Sequence, residues 1–284
     1  MARPLVGLSL MLEDDFLQAA YPLFEAGAVE VLEWSFDTGW PPAAVPKWAD
    51  HLLHFYSESG RLVGHGVSYS ALSAGTEDLQ QTWLRLLSKE IQQRRYRYIS
   101  EHFGFSSTRN FHQSAPLPVP LTPATLELGR EGLKRLEEIA KVPVGLENLA
   151  FAFGLQDVLD QGRFLDELLT PVDGFVVLDL HNLYCQAVNF ERPIEELLAG
   201  YPLQRVRELH VAGGSWSHGI DSRPVRRDTH DGPVPEGLFA MLPVVLQQCP
   251  HVECVILERM GGTLSEKESF RRDFFRVKEV IHAA

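Results

Sequence analysis

The stretch Phe175-Val176-Val177-Leu178-Asp179-Leu180-His181-Asn182, with its sequel Val206-Arg207-Glu208-Leu209-His210-Val211-Ala212, decides how this chain folds. Each is a short apolar run, rich in β-branched residues, that ends on acidic and imidazole side chains, which reads as a strand. Successive side chains of a strand point to opposite faces. Val176, Leu178 and Leu180 therefore share a face suited to packing against helices, while Asp179 and His181 share the inward one. In the second run Leu209 and Val211 form the outer face and leave Glu208 and His210 inside, and the same parity turns Glu147 inward, opposite Leu146.

Working outward, runs of the same kind recur at Leu5 to Leu10, Val29 to Ser35, Leu62 to Ser68, Tyr96 to His102, Val144 to Leu149 and Cys254 to Glu258. Helix-like stretches lie between them: Glu13 to Ala26, Ala43 to Glu58, Thr76 to Arg94, Pro123 to Ala140, Asp157 to Leu169, Pro193 to Ala199, Pro235 to Gln248 and Ser265 to His282. Strand and helix alternate, which implies parallel pairing through right-handed crossovers. Eight such units in 284 residues predict an α/β fold, a single (β/α)8 TIM barrel over residues 1–284. The turn after the first strand lacks the Gly-x-Gly-x-x-Gly of a dinucleotide fold. No internal repeat, charge block or linker divides the chain; Pro116 to Pro123 reads as a loop before a helix, and Gly213 to Pro235 as the longest aperiodic segment.

Composition narrows the function. The formal charge is 26 − 38 = −12, the opposite of the basic footprint that holds a phosphate backbone, so no nucleic acid partner is expected. No run approaches the length of a membrane span, and the N-terminus lacks a signal peptide's apolar core, so no membrane is expected either. Three cysteines (Cys185, Cys249, Cys254) make no disulfide framework and suit the cytoplasm; all three read as packed thiols.

The reactive rim of such a barrel is built from strand C-termini and the loops that follow them. There this chain places Glu33, His65, Glu101, His102, Glu147, Asn148, Asp179, His181, Asn182, Glu208, His210 and Glu258, with Asp228 and His230 in the long loop after the seventh strand. Buried charges must be paired or coordinate a metal. A mixed histidine and carboxylate set with no cysteine cluster suits iron, manganese or zinc. The candidates outnumber the ligands of one ion, so two or three are expected. Asn148 and Glu208 read as groups that hold the ligands, and Glu101 as a ligand's neighbour or half of an ion pair.

Taken in order, Gly64-His65-Gly66, Ser100-Glu101-His102, Leu146-Glu147-Asn148, Leu178-Asp179-Leu180-His181-Asn182-Leu183-Tyr184, Glu208-Leu209-His210-Val211-Ala212-Gly213, Asp228-Thr229-His230-Asp231 and Leu257-Glu258 resemble the multinuclear non-heme iron-dependent oxidative enzymes, the family of the methanobactin-maturing oxidase. The resemblance spans about residues 60–260. It implies a xylose-isomerase-like TIM barrel with two or three iron ions (Fe2+/Fe3+; Mn2+ or Zn2+ as the alternative). It also implies His65, His102, Glu147, Asp179, His210, Asp228, His230 and Glu258 as ligands, with His181 an added ligand or a supporting donor. His65, Glu147, Asp179 and Glu258 are the residues on which catalysis is expected to rest. Members oxidatively modify a ribosomally made peptide substrate, often at cysteine, with dioxygen and frequently with a companion substrate-presenting protein. The chain departs from the pattern at Glu258-Arg259-Met260, where Arg259 either meets a substrate carboxylate or pairs with a protein acid, and around Asp37 to Gly39. Arg223, Arg226 and Arg227 in the long loop either engage an acidic peptide or phosphate, or balance the acidic rim. The alternatives on a similar barrel are a divalent-metal-dependent sugar isomerase or epimerase and a metal-dependent phosphoesterase.

Overall fold

The computed structural model describes residues 3–108, 111–219, 222–260 and 267–283. In chain order the elements are β1 (Leu5–Ser9), α1 (Asp14–Glu25), β2 (Val31–Trp34), α2 (Lys47–Glu58), β3 (Leu62–Gly66), α3 (Glu77–Gln93), β4 (Ile99–His102), β5 (Phe105–Thr108), β6 (Phe111–Leu117) and α4 (Pro123–Ala140). They continue with β7 (Val144–Glu147), α5 (Leu155–Leu169), β8 (Phe175–Asp179), α6 (Leu180–Asn189), α7 (Ile194–Ala199), β9 (Val206–Val211), β10 (Trp216–His218), β11 (Pro224–Arg226), α8 (Glu236–Gln248), β12 (Cys254–Leu257) and α9 (Lys267–Ala283).

Eight parallel strands close into a barrel in the order β1-β12-β9-β8-β7-β4-β3-β2, as the alternation of elements predicts. The outward faces carry Val6, Leu8, Leu32, Ile99, Leu146, Val176, Leu178 and Leu209, which pack with helix residues such as Phe16, Leu53, Leu87, Leu136, Leu165, Leu242 and Phe274 in one continuous core. A second, smaller apolar cluster of Leu5, Val31, Val63, Tyr98, Phe175, Val177, Cys254 and Ile256 fills the lower interior. Gly145 makes room for it: a β-carbon there would stand 2.5 Å from the Phe175 ring.

Helix ends follow local chemistry. Thr122 caps α4 by accepting from the Thr125 amide at 3.2 Å, with Pro123 in the first turn, where no N–H is needed. The sequence reading of β8 as running to Asn182 is corrected here. The strand ends at Asp179, whose Oδ1 accepts from the Asn182 amide at 2.7 Å and so starts α6 at Leu180. His181 therefore sits on a helix and does not alternate with Asp179 along a strand. Two hairpins, β5–β6 and β10–β11, add to the plain alternation, and the second occupies part of the long aperiodic segment. The expected start of the last helix at Ser265 lies outside the described residues. Among the described residues no helix is long and apolar enough to cross a membrane.

Candidate metal centre

At or beside the C-terminal end of each barrel strand stands a polar residue: Ser9, Glu33, His65, His102, Glu147, Asp179, His210 and Glu258. All but the part-exposed His102 are buried. All of these but Ser9, together with Glu208, bring donor atoms into overlapping groups, each within 4.8 Å: His65, His102 and Glu147; Glu147, Asp179, His210 and Glu258; and Glu33, Glu208 and His210.

Glu147 links the first two groups. Its Oε2 lies 3.2 Å from His65 Nε2 and 3.3 Å from His102 Nε2, while its Oε1 lies 3.6 Å from His210 Nδ1. Each of two histidines has its other nitrogen fixed. Ser100 Oγ directs its own hydrogen to the Gly64 carbonyl at 3.3 Å and accepts from His65 Nδ1 at 2.8 Å, so the His65 Nε2 lone pair faces Glu147. His210 Nε2 donates to Glu208 Oε1 at 2.7 Å and Glu33 Oε2 at 3.0 Å, so its Nδ1 lone pair faces Glu258 Oε2 at 3.2 Å.

That arrangement is repulsive without a positive charge between the donors. His210 Nδ1, His230 Nε2, Glu33 Oε1 and Asp179 Oδ2 are buried with no hydrogen-bond partner, although carboxylate oxygens stand 3.0–3.7 Å from the two imidazole nitrogens. Such orphaned groups are costly unless an ion satisfies them. Proton affinities tell the same story. Burial works against charge on His65, but the Glu147 hydrogen bond and the nearby Glu33 charge outweigh it and raise the imidazole to about 9. Burial and the charges of Asp228 and Glu147 push the Asp179 carboxyl well above its ordinary range. Burial also opposes ionisation of Glu33, yet the His210 imidazole holds it down at about 2. The donor set of imidazole nitrogen and carboxylate oxygen fits a borderline or hard divalent cation, and the pocket attracts positive charge.

Asp228, His230 and His181 adjoin this layer differently. His230 Nε2 lies 3.0 Å from Asp228 Oδ1 and 3.7 Å from Glu258 Oε2. His230 also adopts a left-handed backbone, φ 51°, uncommon for a side chain with a β-carbon. His181 Nε2 accepts from Arg226 Nε at 3.3 Å, which leaves Nδ1 to donate to Asp228 Oδ1 at 2.8 Å. His181, Asp228 and His230 do not come together within 4.8 Å as the other groups do.

Surrounding polar residues brace the layer. Asn148 Oδ1 accepts from the Asp179 amide at 2.6 Å and its Nδ2 donates to the Asp179 carbonyl at 3.1 Å, while Asn182 Nδ2 donates to the Asn148 carbonyl at 2.9 Å. Glu101 accepts from the amides of Tyr69 and His102, both at 2.8 Å, and burial with the Asp37 charge raises it to about 8. Arg259 is buried against Ser269 (3.4 Å) and Asp273 (3.7 Å), which answers the alternative left open at that position in favour of a protein acid. The three cysteines are buried thiols. Glu33, which the sequence reading placed on the rim but not among the ligands, stands 3.0 Å from His210 Nε2, a contact that depends on how β2 and β9 face each other across the barrel.

A cleft of about 390 Å³ opens onto the layer, with His65, His102, Glu147, Asn182, Asp228, His230 and Glu258 at its base and Leu10, Met11, Trp34, Val67, Leu149 and Phe151 among its walls. Among the described residues no lysine or arginine lines it. A larger cavity of about 710 Å³ lies at the opposite end of the barrel, and none of the donors reaches it.

Comparison with known proteins places this geometry. A protein of Rhizorhabdus wittichii designated UPF0276 is 27% identical over 259 residues, which cover 90% of this chain and 88% of that one. Among solved structures, a xylose isomerase domain protein from Planctomyces limnophilus is similar with a TM-score of 0.62 at 14% identity, covering 99% of this chain and 98% of that one. D-psicose 3-epimerase from Clostridium cellulolyticum H10, solved with D-tagatose, gives 0.63 at 13%, covering 98% of each. At those identities the likeness is one of fold: a xylose-isomerase-like TIM barrel. The family model described as "RiPP precursor modification enzyme MbnB/TglH/ChrH" matches residues 43–280, which takes in every donor of the buried layer from His65 to Glu258, and this chain belongs to that family.

Proposed function

We propose that this chain is an iron-dependent oxidase that holds two or three iron ions and uses dioxygen to modify a ribosomally made peptide, at cysteine. The observation that carries the reading is Glu147, whose carboxylate offers Oε2 to the His65–His102 pair and Oε1 to His210. A carboxylate turned both ways suits two cations side by side. His65, His102 and Glu147 would hold one ion, and Glu147, Asp179, His210 and Glu258 a second. Asp228 and His230 would contribute to a third, with His181 either a further ligand or the donor that steadies Asp228. Bound iron would supply the activation of dioxygen and the removal of hydrogen from the substrate; the protein supplies ligand geometry and shelter.

The chain's own residues do the rest. The apolar walls formed by Leu10, Trp34, Val67, Leu149 and Phe151 exclude water and accept a peptide segment, and they bring its reactive side chain down onto His65, Glu147 and Glu258. The acids around His65 favour a proton on its ring in the cation-free protein, and a bound ion would displace that proton. Among the described residues the cleft has no lysine or arginine to add to a metal's hold on a phosphoester, and its walls above the donor layer are largely apolar, with few partners for sugar hydroxyls. Both features favour the peptide over a phosphoesterase or epimerase substrate. Family membership favours a companion protein that presents the peptide, and the cytoplasm supplies the reducing setting that free thiols and Fe2+ require.

Metal analysis on anaerobically prepared protein, followed by oxygen uptake with a cysteine-bearing peptide, tests the reading. More than one iron per chain and peptide-dependent oxygen consumption are expected. Full activity of iron-free protein with Mn2+ or Zn2+ in the absence of oxygen, or exchange of sugar protons with solvent, would replace it with the isomerase alternative.

A further inference from the structure

The inward positions at and just before β4 serve three histidines in turn. His102 belongs to the first donor group, and Ser100 fixes His65. Tyr98, the residue before the strand, reaches His210 through one intermediary. Its hydroxyl donates to Glu208 Oε2 at 2.5 Å, and Glu208 Oε1 accepts from His210 Nε2 at 2.7 Å. The Tyr98 ring lies in the apolar plug, edge-on to Phe175 at 4.8 Å between centroids, where a phenylalanine would fill the same space. Among the described residues its hydroxyl meets Glu208 and the Cys254 thiol, the latter at 2.8 Å. Glu208 is wholly buried, and the Cys254 thiol stands a long 3.5 Å from its Oε2, so Tyr98 and His210 are its close donors among the described residues.

Resting on the reading of Glu147, Asp179, His210 and Glu258 as a cation group, we propose that Tyr98 and Glu208 are positioning residues for His210. Tyr98 locks the Glu208 carboxylate, Glu208 holds the proton of His210 on Nε2, and the Nδ1 lone pair is thereby committed to the cation group. Glu33 Oε2, 3.0 Å from the same Nε2, shares that proton and steadies the ring from the β2 side. The floor of the barrel thus sets the tautomer of a ligand in its mouth. Carboxylates that accept from the distal nitrogen of a metal-bound histidine act in this way.

Titration of the cation-free protein with Co2+ or Mn2+, without peptide or oxygen, tests this independently of the oxidase reading. The expected result is that Glu208→Leu weakens one bound equivalent about 10- to 100-fold, the usual effect of losing such a partner. Glu208→Gln, which still offers an oxygen to Nε2–H, restores most of that loss, and Tyr98→Phe falls between the two. The Co2+ absorption bands of the same equivalent shift, while the unfolding temperature of the cation-free protein changes little in Tyr98→Phe and Glu208→Gln. Wild-type affinity and spectrum in both Tyr98→Phe and Glu208→Leu would overturn the proposal. So would equal weakening of all equivalents together with lower cation-free stability, which would mark a packing role. If Glu208→Leu does not fold, Tyr98→Phe and Glu208→Gln decide between the same outcomes. A protein that binds no cation with any sequence at these positions would instead refute the cation group itself.

Discussion

Protons occupy the donor layer before any cation does, and His65 shows the consequence. Burial opposes its charge, but Glu147 and Glu33 raise it from an ordinary value near 6.5 to about 9. In the cation-free protein this group adds stability in full below about pH 6.5, and that contribution is lost as the pH rises through about 9. A cation needs the neutral ring, so cation affinity should move the other way, strengthening from pH 7 to 9 with release of protons. Calorimetric titration in buffers of different ionisation enthalpy measures that release. Glu147 makes a second prediction. Glu147→Gln removes the charge shared by two donor groups, and the expected outcome is loss of at least one bound equivalent and weakening of its neighbour, read by metal analysis after gel filtration. The sequence made these residues visible because each stands at a strand end with inward parity. It did not show the unpaired state of Asp179 Oδ2 or His210 Nδ1, which depends on side chains such as Glu147 and Glu258 that other strands bring in.

At the scale of elements, the eight strands were legible because parity, length and turn punctuation agreed along the chain. The α6 helix was not, since Leu178, Leu180 and the apolar residues after them keep up an alternation that strand and helix both satisfy over a few residues. Asp179 settles the matter locally by capping the helix, and it also belongs to the second donor group. The two roles separate by substitution. Asp179→Asn keeps a good cap, so cation-free stability should change by only a few tenths of a kcal/mol, whereas Asp179→Ala should cost about 1 kcal/mol. Both should lose cation affinity; chemical denaturation beside cation titration distinguishes them. The β10–β11 hairpin escaped notice because two strands of three residues carry little periodicity. In the plug, Gly145→Ala would drive a methyl group into the Phe175 ring and should destabilise by about 1–3 kcal/mol.

For the whole molecule, the donor layer couples folding to its ligands. Cation at about 100 times its dissociation constant should add about 2.7 kcal/mol, which for a chain of this size raises the unfolding midpoint by about 5 °C. Scanning calorimetry with and without chelator reads the shift; an unchanged midpoint would mean that the buried acids and imidazoles are satisfied by protons alone. Whether Arg223, Arg226 and Arg227 face a substrate was beyond the sequence. The structure settles Arg226, which is buried between the rings of Tyr184 and Trp216 with its Nε on His181.

The plug of Tyr98, Phe175, Ile256 and their neighbours makes the barrel a blind vessel with its opening at the top. If the chain modifies a peptide as proposed, ions and peptide would both arrive from the upper face, and metal would have to be in place before peptide covers it. Saturating peptide mixed with cation-free protein should therefore slow metal uptake in stopped-flow measurements, whereas metal added first should leave peptide capture at full speed.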